Sequence, residues 1–382
     1  VFFLNMKQIQ LFDNFLEAEF IARPNRFVME LKLGDRVIEA YVPNTGRMTE
    51  FLFPGRKFYL TQQKMPKFNF KVIGTEYQGN YVFLDTIRVN SIMQEILNRQ
   101  KIAELRGFSQ LKREYKILNS KFDFKLAYHN SEDRIIEVKS CTLCHKGTAM
   151  FPDAPTLRGQ RHLEELNELA ERGYESWIIF LITNFNANKF LPNHHVDFDY
   201  GKLFLRCNKV RTMALKLKFA DPVTLLPEAV TEVEIDHERL KRECRNAGTY
   251  LLVLKNQSQF QRKIGALGER KFQPGYYVYI GSALRNLEQR LKRHNSKRKK
   301  IHWHIDSIIP EPMQIVKTHV IRRELRLESK LAEELSKIGD GEVQGFGVSD
   351  DRLDSHLVYF REDPHENDLF IKTILDFRTT SF

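Results

Sequence analysis

Apolar and polar positions alternate most cleanly over residues 121–128, where Phe122, Phe124, Leu126 and Tyr128 interleave with Lys121, Asp123 and Lys125. This is the period-two signature of a strand with one buried face. Arg134–Cys141 is β-branched and predicts a partner strand, with polar residues 129–133 as the turn. With that turn centred near Ser131, Asp123 lies opposite Lys139, and Glu137 shares the face of Lys139 because two residues make one pleat repeat. Asp123, Glu137 and Lys139 are therefore expected to converge. Upstream, residues 12–85 form short strand-like runs punctuated by Leu33-Gly34-Asp35, Pro43-Asn44-Thr45-Gly46, Pro54-Gly55 and Gln78-Gly79-Asn80, which predicts a small all-β barrel or sandwich. Residues 90–105 switch to helical spacing, with Ile92, Ile96, Leu97 and Ile102 on one stripe. Past the hairpin, a helix opens at Arg158-Gly159-Gln160 and ends near Gly173, and residues 177–182 read as a buried strand. These elements predict an α/β domain closing near Leu226, followed by a charged connector. Strand-like residues 248–254 and 276–280, a helix over 287–294 and a stripe of Leu325, Leu331 and Leu335 carrying Glu328 predict a further unit.

The chain has 382 residues, more than one hydrophobic core spans, so two or three domains are expected. Its net charge of +11 and pI near 9.3 suit a polyanionic partner, because Lys and Arg contacts to phosphate supply most sequence-independent affinity for nucleic acids. No apolar run approaches a spanning helix and no signal-like N-terminus stands out, so no membrane association and a cytoplasmic location are expected. Four cysteines are too few for a disulfide framework. Cys141-Thr-Leu-Cys144-His145 spells the haem-attachment signature, but it continues a β-branched strand and reads as structural thiols. Two convergent carboxylates can hold a divalent cation beside a lysine that positions a nucleophile or offsets transition-state charge, the layout of PD-(D/E)xK nucleases. The bland alternative is a surface hairpin with an i, i+2 charge pair. In the first domain Arg23, Arg26, Arg47, Arg56 and Lys57 interleave with Phe27, Tyr41, Phe51 and Phe53. Such a surface could stack bases and track a backbone, or its aromatics are simply core.

Pro43-Asn44-Thr45-Gly46, Lys121-Phe122-Asp123-Phe124, Glu137-Val138-Lys139-Ser140 and the run from Phe151 through Pro152-Asp153-Ala154-Pro155-Thr156 to His162-Leu163 resemble the sugar fermentation stimulation protein (SfsA) family. The resemblance covers about residues 12–226. It implies an OB-like N-terminal domain and a PD-(D/E)xK nuclease-like domain that binds DNA, with Asp123 and Glu137 as metal ligands, Lys139 catalytic and Gln160 supporting the site. A carboxylate from the first helix region is expected to assist, with Glu95, Glu104 and Glu114 as candidates.

Gly248-Thr249-Tyr250, Tyr279-Ile280-Gly281 and Arg290 resemble the GIY-YIG nucleases, and Arg293-His294, residues 302–306, Gly345-Phe346-Gly347 and Ser355-His356-Leu357 resemble the GIY-YIG-like family DUF123. The resemblance implies Tyr250 and Tyr279 as motif tyrosines, Arg290 as the motif arginine and Glu328 as the metal-binding glutamate, since such chemistry needs a proton acceptor, a cation and a carboxylate. Two departures stand out: Ser282 occupies the place of a usual lysine, and Asp351 and Leu353 stand where cysteines are common. Residues 290–300 hold seven Lys or Arg in eleven positions, expected to form a phosphate-contacting edge.

The expected architecture is multidomain: an all-β OB-like nucleic-acid-binding barrel over 1–88, an α/β PD-(D/E)xK restriction-endonuclease-like domain over 89–226, a linker over 227–246, an α+β GIY-YIG-like domain over 247–361 and a tail over 362–382. The expected catalytic set is Asp123, Glu137, Lys139, Gln160, Tyr250, Tyr279, Arg290 and Glu328. Mg²⁺ or Mn²⁺ is expected on Asp123, Glu137 and Glu328, and DNA or RNA on Arg23, Arg26, Arg47, Arg158, Arg293, Lys297, Arg298, Lys299 and Lys300. The expected function is a metal-dependent phosphodiesterase with a second nuclease module. The rival is a DNA-binding regulator of sugar catabolism built on inactive nuclease folds.

Overall fold

The computed structural model describes residues 8–63, 66–348 and 354–380. The chain divides into two compact units, Val1–Leu240 and Lys241–Phe382. In the first, six strands, β1 (Leu16–Asn25), β2 (Val28–Leu33), β3 (Arg36–Tyr41), β4 (Lys57–Gln62), β5 (Phe70–Tyr77) and β6 (Asn80–Phe83), pair in the order β3-β2-β1-β4-β5-β6. Tyr41 of β3 also pairs in parallel with Lys71 of β5, which closes the sheet into an OB-like barrel. Its interior takes the alternate apolar positions, such as Met29 and Leu31 on β2 and Phe58 and Leu60 on β4. Phe51 and Phe53 belong to this core, whereas Phe27 is exposed.

Helix α1 (Val89–Asn98) buries Val89, Ile92, Met93, Ile96 and Leu97. It packs on a second sheet of β7 (Gln110–Ile117), β8 (Ser120–Ala127), β9 (Arg134–Cys141), β10 (Glu175–Ile182) and β11 (Arg211–Lys216), in that spatial order. β7 to β9 are antiparallel, and β9 to β11 are parallel. β10 is buried from Ser176 to its end, the continuous apolar run of a strand covered on both faces. Helices α2 (Leu157–Glu171) and α3 (Phe198–Arg206) complete the α/β layer.

The barrel keeps an interior of its own, but some of its residues join the core of the α/β domain. Phe12, Tyr59, Ile73 and Phe83 cluster with α1 and with Phe124 and Ile136 of the second sheet. The stretch expected as a linker over 227–246 is likewise built in: Thr231–Glu232 pairs with β11, Glu234–Ile235 pairs with Lys189–Pro192, and Val233 is buried between them. Its charges mask the buried apolar anchors Val233 and Leu240.

The second unit contains β12 (Gly248–Asn256), β13 (Gly275–Ala283), α4 (Leu287–Asn295), β14 (Gln314–Ile321), α5 (Glu328–Ser336) and β15 (Leu357–Phe360). Its antiparallel sheet runs β14-β12-β13-β15, with the short strand Gly341–Glu342 at the edge. The expected tail is instead helix α6 (Asp368–Thr379), capped by Asn367, whose Oδ1 accepts from the Leu369 N–H at 2.9 Å. α6 buries Phe370, Ile371, Ile374 and Leu375, an i, i+1, i+4, i+5 stripe packed on β14 and α5. Asp351 and Leu353 lie outside the described residues. Among the described residues no helix is long and apolar enough to cross a membrane.

Phe370 is fully buried against Phe360. Phe370→Ala is expected to destabilise the second unit by about 3–5 kcal/mol, read as a lower urea midpoint. A midpoint unchanged from the parent would return residues 362–382 to the status of a tail.

Candidate active site

Parallel pairing fixes β9 against β10, setting Glu137 beside Ile178 and Lys139 beside Phe180. On the other side the β8–β9 ladder ends at Phe124 paired with Ile136, so Asp123 stands level with Glu137 rather than with Lys139. The expected register is thus wrong by two residues. A two-residue slip preserves the pleat parity that a one-residue slip would invert, so the trio still meets.

Glu137 is 3% exposed. Its Oε1 accepts from Lys139 Nζ and lies beside His162 Nδ1, both at 2.6 Å, while its Oε2 is buried without a partner. Burial pushes this carboxyl up, but Lys139 and His162 outweigh it and the net shift is downward. Asp123 is pushed up to about 6, first by burial and then by Glu137, against the Val138 N–H, Lys139 and Asn90. Its Oδ2 accepts from the Val138 N–H at 2.7 Å and its Oδ1 from Asn90 Nδ2 at 2.6 Å.

These groups line a cleft of about 460 Å³. One lip is the barrel loop from Pro43 to Arg47, where Asn44 Oδ1 accepts from the Gly46 N–H and Asp153 Oδ2 accepts from the Arg47 N–H at 2.7 Å. Gly46 allows the close approach there, since a Cβ would lie 2.4 Å from Asp153 Oδ2 and displace that side chain. The other lip is the first turn of α2. Thr156 caps it through Oγ1 to the Gly159 N–H at 3.0 Å, and Arg158 lines the cleft.

Several expected roles change. Gln160 does not enter the cleft: its Nε2 donates to Asp197 Oδ1 at 2.9 Å, and Asp197 Oδ2 also accepts the Thr156 N–H, so Gln160 secures the start of α2. None of the three glutamates lines the cleft; Glu95 pairs with Arg99, Glu114 pairs with Lys121, and Glu104 is exposed. α1 supplies the amide of Asn90 instead. Arg23 is a structural clamp whose guanidinium donates to the carbonyls of Arg26, Asn44, Gly46 and Arg47, whereas Arg26, Arg47 and Arg158 are exposed. Asn90, His162 and Asp153 carried no distinguishing spacing signal. The thiols of Cys141 and Cys144 are buried and pushed up by burial, Cys144 to about 12, and His145 Nδ1 meets Tyr77 Oη at 2.7 Å, which leaves this signature a structural role.

In the second unit Tyr250, Tyr279, Arg290 and Glu328 also converge. The tyrosine rings lie 6.4 Å apart and Tyr250 Oη meets His294 Nε2 at 2.8 Å. A Cβ on Gly281 would lie 2.6 Å from Tyr250 Oη, so the residue after Ile280 must be glycine. Glu328 Oε2 accepts from Ser282 Oγ at 2.5 Å, and His356 Nδ1 lies 3.5 Å from Oε1. Burial pushes both tyrosine hydroxyls upward and lowers His294 to about 4. The Arg290 guanidinium sits 4.0 Å from the Trp303 ring centre. In the basic run, Arg293 is bound through both Nη atoms to Asp306 and Lys299 donates to the His294 carbonyl, so both are structural, while Lys297, Arg298 and Lys300 are exposed.

The fold and site define an OB-like barrel joined to an α/β domain with the β8–β9 hairpin and central β10 of the restriction-endonuclease type. Family models agree in chain order: the SfsA N-terminal OB domain over residues 21–84, the sugar fermentation stimulation protein RE domain over 87–222 and the domain of unknown function DUF123 over 249–379. A sugar fermentation stimulation protein homolog from Clostridium botulinum (strain Langeland) is 38% identical over 197 residues, 51% of this chain and 85% of its own. One from Clostridium tetani is 36% identical over 198 residues, 51% of this chain and 86% of its own. The structure of Pyrococcus furiosus SfsA in complex with Ca²⁺ matches with a TM-score of 0.55 and 29% identity, over 60% of this chain and 99% of that one. The chain belongs to the sugar fermentation stimulation protein family, with a DUF123 domain following the shared region.

The unpartnered Glu137 Oε2, beside Asp123, fits a divalent cation. Mg²⁺ or Mn²⁺ is expected to raise the melting temperature of the full chain through binding to the folded state, and Glu137→Gln should abolish that rise. An equal rise in both proteins would place the cation elsewhere. Glu50 gives a pH test. It is 3% exposed, with Oε1 unpartnered, and burial foremost pushes its carboxyl from 4.5 to about 8. A raised folded-state value means stability fully present below about pH 4.5 and lost as pH rises through about 8. Glu50→Gln should therefore match the parent near pH 5 and melt several degrees above it near pH 8; parallel curves would refute this.

Proposed function

We propose that the chain is a metal-dependent phosphodiesterase acting on nucleic acid, with its chemistry in the Asp123–Glu137–Lys139 cleft. One observation carries the reading: two carboxylates and a lysine face one cleft, and a buried carboxylate oxygen is left without a partner. A scaffold that only binds DNA has no use for two converging carboxylates that repel phosphate.

Asp123 and Glu137 would hold the cation, which would polarise a phosphoryl oxygen and lower the pKa of a bound water. Asn90 and the Val138 N–H fix the Asp123 carboxylate, and His162 fixes Glu137. Lys139, held on Glu137, places a positive charge beside the scissile phosphate and offsets the charge that grows there. Arg158, at the mouth, orients the flanking phosphate. The +11 net charge of the chain favours such a polyanionic substrate.

The second unit is assigned as a GIY-YIG-like module with a subordinate site. Tyr250 and Tyr279 are 1% and 7% exposed with hydroxyls pushed upward, and Ser282 supplies no cation to reverse that shift. Its exposed Lys297, Arg298 and Lys300 serve as phosphate contacts.

With Mg²⁺ or Mn²⁺ on single-stranded, duplex and branched DNA and on RNA, Glu137→Gln or Lys139→Ala should each lower cleavage by about two orders of magnitude or more, with binding retained. Tyr279→Phe with Glu328→Gln should leave most of it. Tight binding by the parent without metal-dependent cleavage of any of these substrates would instead favour the DNA-binding regulator of sugar catabolism.

A further inference from the structure

Three large apolar side chains stand exposed on segments that lead to the cleft: Phe27 at 47%, Ile87 at 62% and Leu157 at 82%. Single exposed apolar residues are ordinary on a protein surface. These three are tied to the same loop. The Phe27 carbonyl accepts from the Val42 N–H at 2.9 Å, just before the lip that runs from Pro43 to Arg47. Thr86, next to Ile87, donates from Oγ1 to the Pro43 carbonyl at 2.6 Å. Asp153, which accepts from the Arg47 N–H, lies four residues before Leu157, the first residue of α2. Thr86 on one side and Thr156 and Arg158 on the other line the cleft itself.

The same segments carry Arg26, next to Phe27 and 5.7 Å from its ring centre, Arg47 on the lip and Arg158 after Leu157, all three exposed. The surface is therefore apolar and cationic in turn. An intact duplex keeps its base faces stacked and offers an exposed Leu or Ile only groove edges unless it is kinked open. A strand with its bases unstacked offers base faces for the apolar groups and phosphates for the guanidiniums.

We propose that this rim is a binding site for single-stranded nucleic acid, holding unstacked bases on Leu157, Ile87 and Phe27 at the entrance to the Asp123–Glu137 cleft. The proposal rests on the phosphodiesterase reading for its placement but not for its test. Phe27 belongs to the barrel while Ile87 and Leu157 belong to the α/β domain, so the site exists only because barrel residues pack into the α/β core.

The test is equilibrium binding of the full chain, in EDTA so that cleavage plays no part, to a fluorescein-labelled single strand and to its blunt-ended duplex. The parent should prefer the single strand. Ile87→Ala with Leu157→Ala should weaken single-strand binding on the order of tenfold and leave duplex binding and the melting temperature unchanged. Phe27→Ala should act in the same direction. Equal parental affinity for both probes, or a double variant that loses neither or loses both equally, would overturn the proposal. A retained single-strand preference in a protein that cleaves nothing with Mg²⁺ or Mn²⁺ would overturn the phosphodiesterase reading alone.

Discussion

A carboxylate buried at 3% exposure must be compensated or it destabilises the fold, and Glu137 is compensated on one oxygen only. Lys139 and His162 converge on Oε1, and each is set by a different element: Lys139 by the parallel register of β9 with β10, His162 by α2. α2 is in turn aimed by its Thr156 cap and by Asp197, which receives both the Thr156 N–H and Gln160. Asp123 is brought level with Glu137 by the hairpin and restrained by Asn90 from α1. Strand, hairpin and both helices thus meet at one pair of like charges. Burial, and after it the charge of Glu137, raises the Asp123 carboxyl, and that repulsion is what a divalent cation would relieve.

The barrel takes part in this arrangement instead of standing beside it. Arg23, a residue type that reads as a phosphate contact, spends its donors on four carbonyls and shapes the loop that forms one lip. Gly46 lets that loop approach Asp153. Phe12, Tyr59, Ile73 and Phe83 carry barrel packing into the α1 layer and the strands that bear the carboxylates. Rigid placement of this kind suits a site whose geometry must hold while a charged substrate enters.

The second unit meets a similar demand with different groups. Tyr250 and Tyr279 are buried together with His294, and Glu328 rests between Ser282 and His356. The carboxylate is stabilised by these neighbours, but the two hydroxyls are left with raised values. This contrast separates a cleft lined by Arg158 and an unpartnered carboxylate oxygen from a packed cluster of tyrosines.

Element type was legible wherever periodicity was strong: the alternation around Phe122, Phe124 and Leu126, the helical stripe of Ile92 and Ile96, and the apolar run that became β10. The convergence of Asp123, Glu137 and Lys139 was legible too, because pleat parity survives the two-residue register error. Charge in a sequence says nothing of its partner, so Arg23, Arg293 and Lys299 looked like free cations until the carbonyls and Asp306 beside them were in place. Asn90 and His162 come from two separate helices, and no spacing along the chain links them to the carboxylates they serve. Helix α6 hid behind a short apolar stripe that becomes meaningful only against β14 and α5. Strands, helices and the residue types able to carry phosphodiester chemistry could be read along the chain, since they depend on local periodicity and side-chain functional groups. Which charges are compensated, which amide and imidazole orient them and where the barrel packs into the α/β core emerged in the fold alone, because those depend on contacts between residues far apart in the chain.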